Sequence, residues 1–237
     1  MRIDKFISDS GIATRRECKE AARCGKVTVD GVAVRDLSAH IDPLAASVTY
    51  MGKTVSYRRF TYVMLNKPEG YVSATDDKSL PFVTELLPEE MRRINLFPVG
   101  RLDKDTVGLM VLTNNGKLAH ALLAPKRHVK KRYFFRAAEP LDGSAEEKFK
   151  DGVVLSDGYE CKSAEIAMDE GRTSGVITLT EGKYHQIKRM IASLSNKVVY
   201  LERISFASLT LDTSLDRGEW RYLTDGEIAE LEALADQ

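Results

Sequence analysis

Asp103 and Asp105 lie in "GRLDKDTVGLMVLTNNG", residues 100–116, just ahead of an apolar run from Val107 to Leu112. That run reads as a buried strand. Acids at its mouth, with Arg101 beside them, have two readings. As turn residues they bond nearby backbone through their carboxyl oxygens. As chemistry, a half-desolvated carboxylate kept ionised by a cation is a nucleophile or a base. Other standard groups are missing. "NNGK" lacks the first Gly and the Ser/Thr of a P-loop. His40, His120, His128 and His185 are scattered without metal-ligand spacing, and no Ser occupies a nucleophile elbow. A covalent enzyme on this chain would use a carboxylate.

Such a carboxylate needs a cation and a wall for its substrate. If "QIKRMIASL" is helical, Ile187, Met190, Ile191 and Leu194 form one apolar stripe. At about 100° per residue, Lys188 lies nearer the edge of that stripe than Arg189. A residue at that edge can reach a half-buried carboxylate, whereas Arg101 is the basic residue already beside Asp103 in sequence. An opposite charge within reach favours the ionised carboxylate. In "KKRYFFRAAE", strand alternation puts Tyr133 and Phe135 on one face and Phe134 on the other, so Tyr133 need not be core.

The elements around these residues follow from pattern. "RIDKFISDSG" has Ile3, Phe6 and Ile7 at helical spacing, and "TRRE" offers a capping box between Thr14 and Glu17. The helix that follows carries Arg15, Arg16, Lys19 and Arg23, with 15, 19 and 23 on one stripe. Asp30-Gly31 between alternating valines predicts a hairpin. After a polar link, "FTYVMLNKPEGYVSA" reads as strand, turn, strand. Helices are expected in "GKLAHALLAP", "SAEEKFKDGVVL", "YHQIKRMIASLS" and "LTDGEIAELEAL". Strands are expected in "KKRYFFRAAE", "KSAEIAMDE", "SGVITLTEG" and "KVVYLERISFASLTLD". Strands mixed with helices without strict alternation give an α+β class with a mixed, mainly antiparallel sheet.

Composition sets the bounds. The 237 residues suit one or two domains, and 43% are hydrophobic, enough for a core. The N-terminus is not a secretory signal and no apolar run has spanning length, so a cytoplasmic home and no membrane partner are expected. Cys18, Cys24 and Cys161 are too few for a disulfide framework, and Cys18 and Cys24 are expected as small buried residues. The whole chain balances 35 basic against 35 acidic residues. Residues 1–59 alone hold eleven basic and seven acidic ones. That skew suits a module made for an anionic partner.

Residues 1–48, through "RIDKFI", Gly11, "TRRE" and "GKVTVDGVAV", resemble the small RNA-binding domain first seen in ribosomal protein S-four. Thr14 replaces the usual Ser and keeps the cap. "GRLDKDTVGLMVLTNNG" resembles the catalytic motif of pseudouridine synthases, in the branch that includes small-subunit ribosomal RNA synthases. "LNKPEGYVSA", "HVKKRYFF" and "TEGKYHQIKRM" resemble three further motifs of that branch, in the expected order. Arg132 stands where the family often has Thr, and Lys188 where the wider superfamily usually has Arg.

The resemblance implies a two-domain enzyme, residues 1–58 for RNA binding with the linker and 59–237 for catalysis. The reaction would isomerise one uridine of ribosomal RNA, most simply of the small subunit, with a large-subunit target or a non-catalytic assembly factor as alternatives. It implies catalysis by Asp103, Tyr133 and Lys188, with Arg189 the alternative basic partner of the aspartate and otherwise free for a phosphate, and substrate contacts from Arg101, Ile187, Arg189 and Lys67. RNA contacts would come from Arg15, Arg16, Lys19, Arg23, Lys130 and Lys131. No cofactor or metal is expected, because the reaction involves neither redox change nor net hydrolysis. The expected partner is ribosomal RNA, and a monomer is the default.

Overall fold

Two short helices open the chain in the computed structural model, which describes residues 1–236. α1 (Ile3–Asp9) buries Ile3, Phe6 and Ile7. α2 (Arg15–Arg23) starts from a complete capping box. Thr14 Oγ1 accepts from the Glu17 N–H at 3.2 Å, and Glu17 accepts from the Thr14 N–H at 2.6 Å. α2 buries Cys18, Ala21 and Ala22 and leaves Arg15, Arg16, Lys19 and Arg23 exposed. Cys24, expected to be buried, is exposed, because it lies past the last turn at the helix cap.

β1 (Val27–Val29) turns at Asp30-Gly31 into β2 (Val32–Ala33), as the hairpin signal predicts. β3 (Val48–Tyr50) and β4 (Lys53–Thr54) extend this to a four-stranded sheet of order β2-β1-β3-β4. Neither of these was legible as a strand in the sequence. The chain divides into two units, and this first one comprises Met1–Thr61 together with Thr84–Phe97. The returning segment carries α3 (Glu89–Arg93), whose Arg93 pairs with Glu17 and donates to the Ile12 carbonyl. A single boundary near residue 58 does not contain that return.

The second unit, Tyr62–Val83 and Pro98 onward, is built on a nine-stranded sheet. Its strands are β5 (Tyr62–Lys67), β6 (Phe97–Pro98), β7 (Val107–Thr113), β8 (Lys131–Ala137), β9 (Glu165–Met168), β10 (Ser174–Leu179), β11 (Val198–Phe206), β12 (Leu209–Thr210) and β13 (Trp220–Tyr222). The through order is β13-β5-β7-β11-β8-β10-β9, with β6 on β7 and β12 on β11. Pairings along that order are antiparallel except β7 with β11, which is parallel. Every residue of β5 and β7 is buried. This explains their near-continuous apolar runs: a central strand covered on both faces does not alternate.

Among the described residues four α-helices complete the unit, α4 (Gly116–Leu123), α5 (Ala145–Asp151), α6 (Gln186–Ser193) and α7 (Asp225–Asp236). Asn115 caps α4 by accepting from the Leu118 N–H, and its amide also donates to the Tyr62 hydroxyl at 2.9 Å. The strand expected in "YVSA" does not form. Only Val72 makes a bridge, to Phe82, and the segment is used instead to hold the loop before β7. The class is α+β with a mixed, mainly antiparallel sheet. No described helix is long and apolar enough to cross a membrane.

Candidate active site

The loop before β7 is fixed from two sides. Ser73 Oγ donates to the Leu102 carbonyl at 2.7 Å and accepts from the Leu102 N–H at 2.9 Å. Lys67, the last residue of β5, is fully buried and donates to three backbone carbonyls, of Pro68 at 3.1 Å, Lys104 at 3.2 Å and Thr106 at 2.7 Å. Burial pushes the Lys67 ammonium down to about 8, against the pull of Asp105 and Asp103. Lys67 was expected to touch substrate. Its nitrogen is committed to the backbone instead, so it is a positioning residue beneath the loop.

These bonds present Asp103 to the first turn of α6. Lys188 Nζ lies 2.9 Å from Asp103 Oδ2 and 2.5 Å from Asp105 Oδ1. His185 Nε2 stands 3.6 Å from Asp103 Oδ1. Burial opposes the charge on Asp105 and on Lys188, but their mutual hydrogen bond and attraction outweigh it. Asp105 is therefore held below, and Lys188 above, its ordinary value. Arg189, the alternative partner, points elsewhere and pairs with Asp157 at 2.5 Å. One position further around the helix carries it away from the apolar stripe, where Ile187, Met190 and Ile191 are buried.

α6 begins in a strained corner. His185 has φ +50°, a conformation that few non-glycine residues adopt. Gln186 anchors the corner, accepting from the Lys183 N–H at 2.9 Å and donating to Glu181 at 2.6 Å. Glu181 also accepts from the Tyr159 hydroxyl at 2.8 Å and the Lys162 N–H at 3.0 Å.

A cleft opens above Asp103, lined also by Arg101, Thr106, Tyr133, Ile187 and Lys188. Tyr133 on β8 and Ile187 on α6 supply its apolar walls, and Arg101 is exposed at its mouth. The Thr106 hydroxyl is buried there without a hydrogen-bond partner. A planar base between an aromatic ring and an aliphatic side chain would place its sugar beside an acid that is already salt-bridged.

The remaining basic residues divide. Lys130 is exposed, as are Arg15, Arg16, Lys19 and Arg23 on α2. Lys131 was expected to track RNA from the surface, but it turns inward and donates to the Val129 carbonyl at 3.1 Å. Sequence reasoning missed His185, Thr106, Ser73 and Glu181. Each lies within a segment that resembles a family motif, but the contacts that give it a place come from segments far apart in the chain.

Comparisons with known proteins identify the family. Residues 61–193 match the family model described as RNA pseudouridylate synthase, and residues 1–43 match the S4 domain. The ribosomal small subunit pseudouridine synthase A of Escherichia coli (strain K12) is 37% identical over 230 residues, 97% of this chain and 99% of that one. An uncharacterized RNA pseudouridine synthase of Bacillus subtilis (strain 168) is 43% identical over 231 residues, 96% and 97% of the two chains. A crystal structure of a pseudouridylate synthase, 33% identical, superposes with a TM-score of 0.69 over 98% of this chain and 99% of that one. The chain belongs to the RNA pseudouridylate synthases, enzymes that isomerise uridine to pseudouridine in RNA.

Proposed function

We propose that this chain converts one uridine of small-subunit ribosomal RNA to pseudouridine, with Asp103 as the essential group. The observation that carries the reading is the convergence of Asp103, Lys188 and Tyr133 on one cleft. The target uridine leaves its stack, at a cost of a few kcal/mol, and its base lies against Tyr133 and Ile187. Asp103, paired with Lys188, then acts on the ribose, either by adding to the anomeric carbon or by removing a ribose proton. Either route breaks the bond from sugar to base nitrogen, after which the base turns and rejoins through carbon 5. Arg101, at the cleft mouth, holds the adjoining backbone. The likeness to small-subunit synthases favours that RNA.

The test is tritium release from RNA labelled at carbon 5 of uracil, since that hydrogen leaves when the base rejoins. Wild type and Asp103→Asn are compared on small- and large-subunit RNA. Release by wild type from small-subunit RNA, with at least a ~1,000-fold slower variant, is the expected result. Release from large-subunit RNA alone would reassign the target. Equal release by both proteins would remove Asp103 from the chemistry.

A further inference from the structure

A second cavity adjoins the catalytic cleft and shares Arg101, Tyr133, Glu181 and Lys183 with it. Its volume is about 320 Å³. Five cationic side chains line it, Arg101, Lys131, Lys162, Lys183 and Arg203, against the single acid Glu181. That acid already takes three donors, from Tyr159, Lys162 and Gln186. Arg203 is 1% exposed. Its Nε donates to the Leu109 carbonyl at 2.7 Å, while its Nη2 has no hydrogen-bond partner. Buried polar groups are normally paired, and a guanidinium stays charged at any physiological pH.

Arg203 and Tyr133 are register partners on β11 and β8, so both side chains rise from the same face of the sheet. Lys131 sits two residues before Tyr133, also on that face, and gives one of its donors to Val129. A cavity with this excess of donors and charge calls for an anion. A neutral base would leave the charge unbalanced, whereas a phosphate matches the planar fork of an arginine and takes the lysine donors as well.

We propose that this cavity is a phosphate-binding subsite that seats a backbone phosphodiester flanking the target uridine. The proposal rests on the reading of the adjacent cleft as the uridine site. Tyr133 is then a shared wall, with the target base on one side and the neighbouring phosphate on the other. Anchoring that phosphate would fix the strand on both sides of the extruded nucleotide. It would also give Arg203, remote from Asp103 in sequence, a role in substrate placement rather than in packing alone.

The test has two arms, one for each source of phosphate. In the first, full-length protein labelled with ¹⁵N-arginine is titrated with inorganic phosphate, and the arginine side-chain signals are followed in wild type and Lys131→Gln. A saturable shift of the Arg203 signal, identified by its loss in Arg203→Lys, is expected, with affinity about tenfold weaker in Lys131→Gln. Should Arg203→Lys fail to fold, the Lys131→Gln comparison still decides the matter.

In the second arm, uridine-centred oligoribonucleotides carry one uncharged methylphosphonate at successive linkages. One linkage beside the uridine should weaken binding about tenfold in wild type and have little effect in Lys131→Gln, because the two changes remove the same contact. No phosphate-dependent shift would overturn the subsite. A shift with all linkages equivalent would assign the cavity to free phosphate and overturn the RNA source. Tritium release by the same preparation reports separately on the uridine reading. Release with equivalent linkages removes the flanking phosphodiester and leaves the synthase. Absence of release removes the uridine reading, and with it the flanking phosphodiester.

Discussion

Lys67 directs its ammonium at three carbonyls and at no solvent. Two of those carbonyls, of Lys104 and Thr106, bracket Asp105 in the loop that presents Asp103. Lys67→Met keeps the volume and removes the donors, so the loop loses its tether while β5 remains. A displacement of the reacting group by about 1 Å can cost ~100-fold, and kcat should fall at least about tenfold with RNA affinity little changed. Stability carries a second signature. Burial lowers the folded-state pKa of Lys67 from 10.5 to about 8. Below about 8 both folded and unfolded chains hold the proton, and the contribution of this residue to stability is lowest. Between about 8 and 10.5 the unfolded chain holds a proton that the folded chain lacks, so the contribution rises with pH. Urea unfolding of both proteins from pH 7 to 10 should show the difference moving in favour of wild type as pH rises. A difference independent of pH would mean that Lys67 titrates normally in the folded state.

At the scale of elements, the site depends on one parallel contact. Val107 and Gly108 of β7 pair with Glu202 and Arg203 of β11, which joins the strand that follows Asp103 to the strand that carries Arg203. Gly108 has φ +99°, and a Cβ there would lie 2.4 Å from the Arg203 carbonyl oxygen and 2.9 Å from Glu202 Cγ. Both the dihedral and the approach demand glycine. Gly108→Ala should cost about 2 kcal/mol or more, which for a chain of this length lowers the melting temperature by about 4–8 °C. Calorimetry of the variant decides it, and a melting temperature within a degree of wild type would show that the two strands can part freely. This contact also marks where sequence reading stops. The capping box of Thr14 and Glu17, the hairpin at Asp30, the strands around Tyr133 and the stripe of α6 were legible, because each is set by residues within a few positions of one another. The edge of that stripe even distinguished Lys188 from Arg189. The parallel pairing of β7 with β11, the return of α3 to the first unit and the inward turn of Lys131 were not legible. Each is decided by segments far apart in the chain, and no local pattern encodes which of them meet.

For the whole molecule, zero formal net charge conceals an uneven distribution. An RNA-binding protein needs local positive surface rather than overall charge, since affinity comes from counterions released where phosphates are met. α2 offers such a surface, with Arg15, Lys19 and Arg23 exposed on one stripe. Arg16 also faces solvent but is paired with Glu20 at 3.2 Å. The expected role of this stripe is to hold RNA sequence-independently, leaving choice of the uridine to the catalytic unit. Replacing Arg15, Lys19 and Arg23 together with Gln removes up to three phosphate contacts and leaves the capping box and the buried face of α2 intact. On single-stranded RNA the slope of log affinity against log salt should become shallower by about 2. Tritium release should need more RNA to saturate, while its rate at saturation stays near that of wild type. An unchanged salt slope would identify the stripe as an ordinary solvated face and move RNA capture to the basic residues of the catalytic unit. A lower saturated rate with an unchanged slope would instead tie α2 to the chemical step.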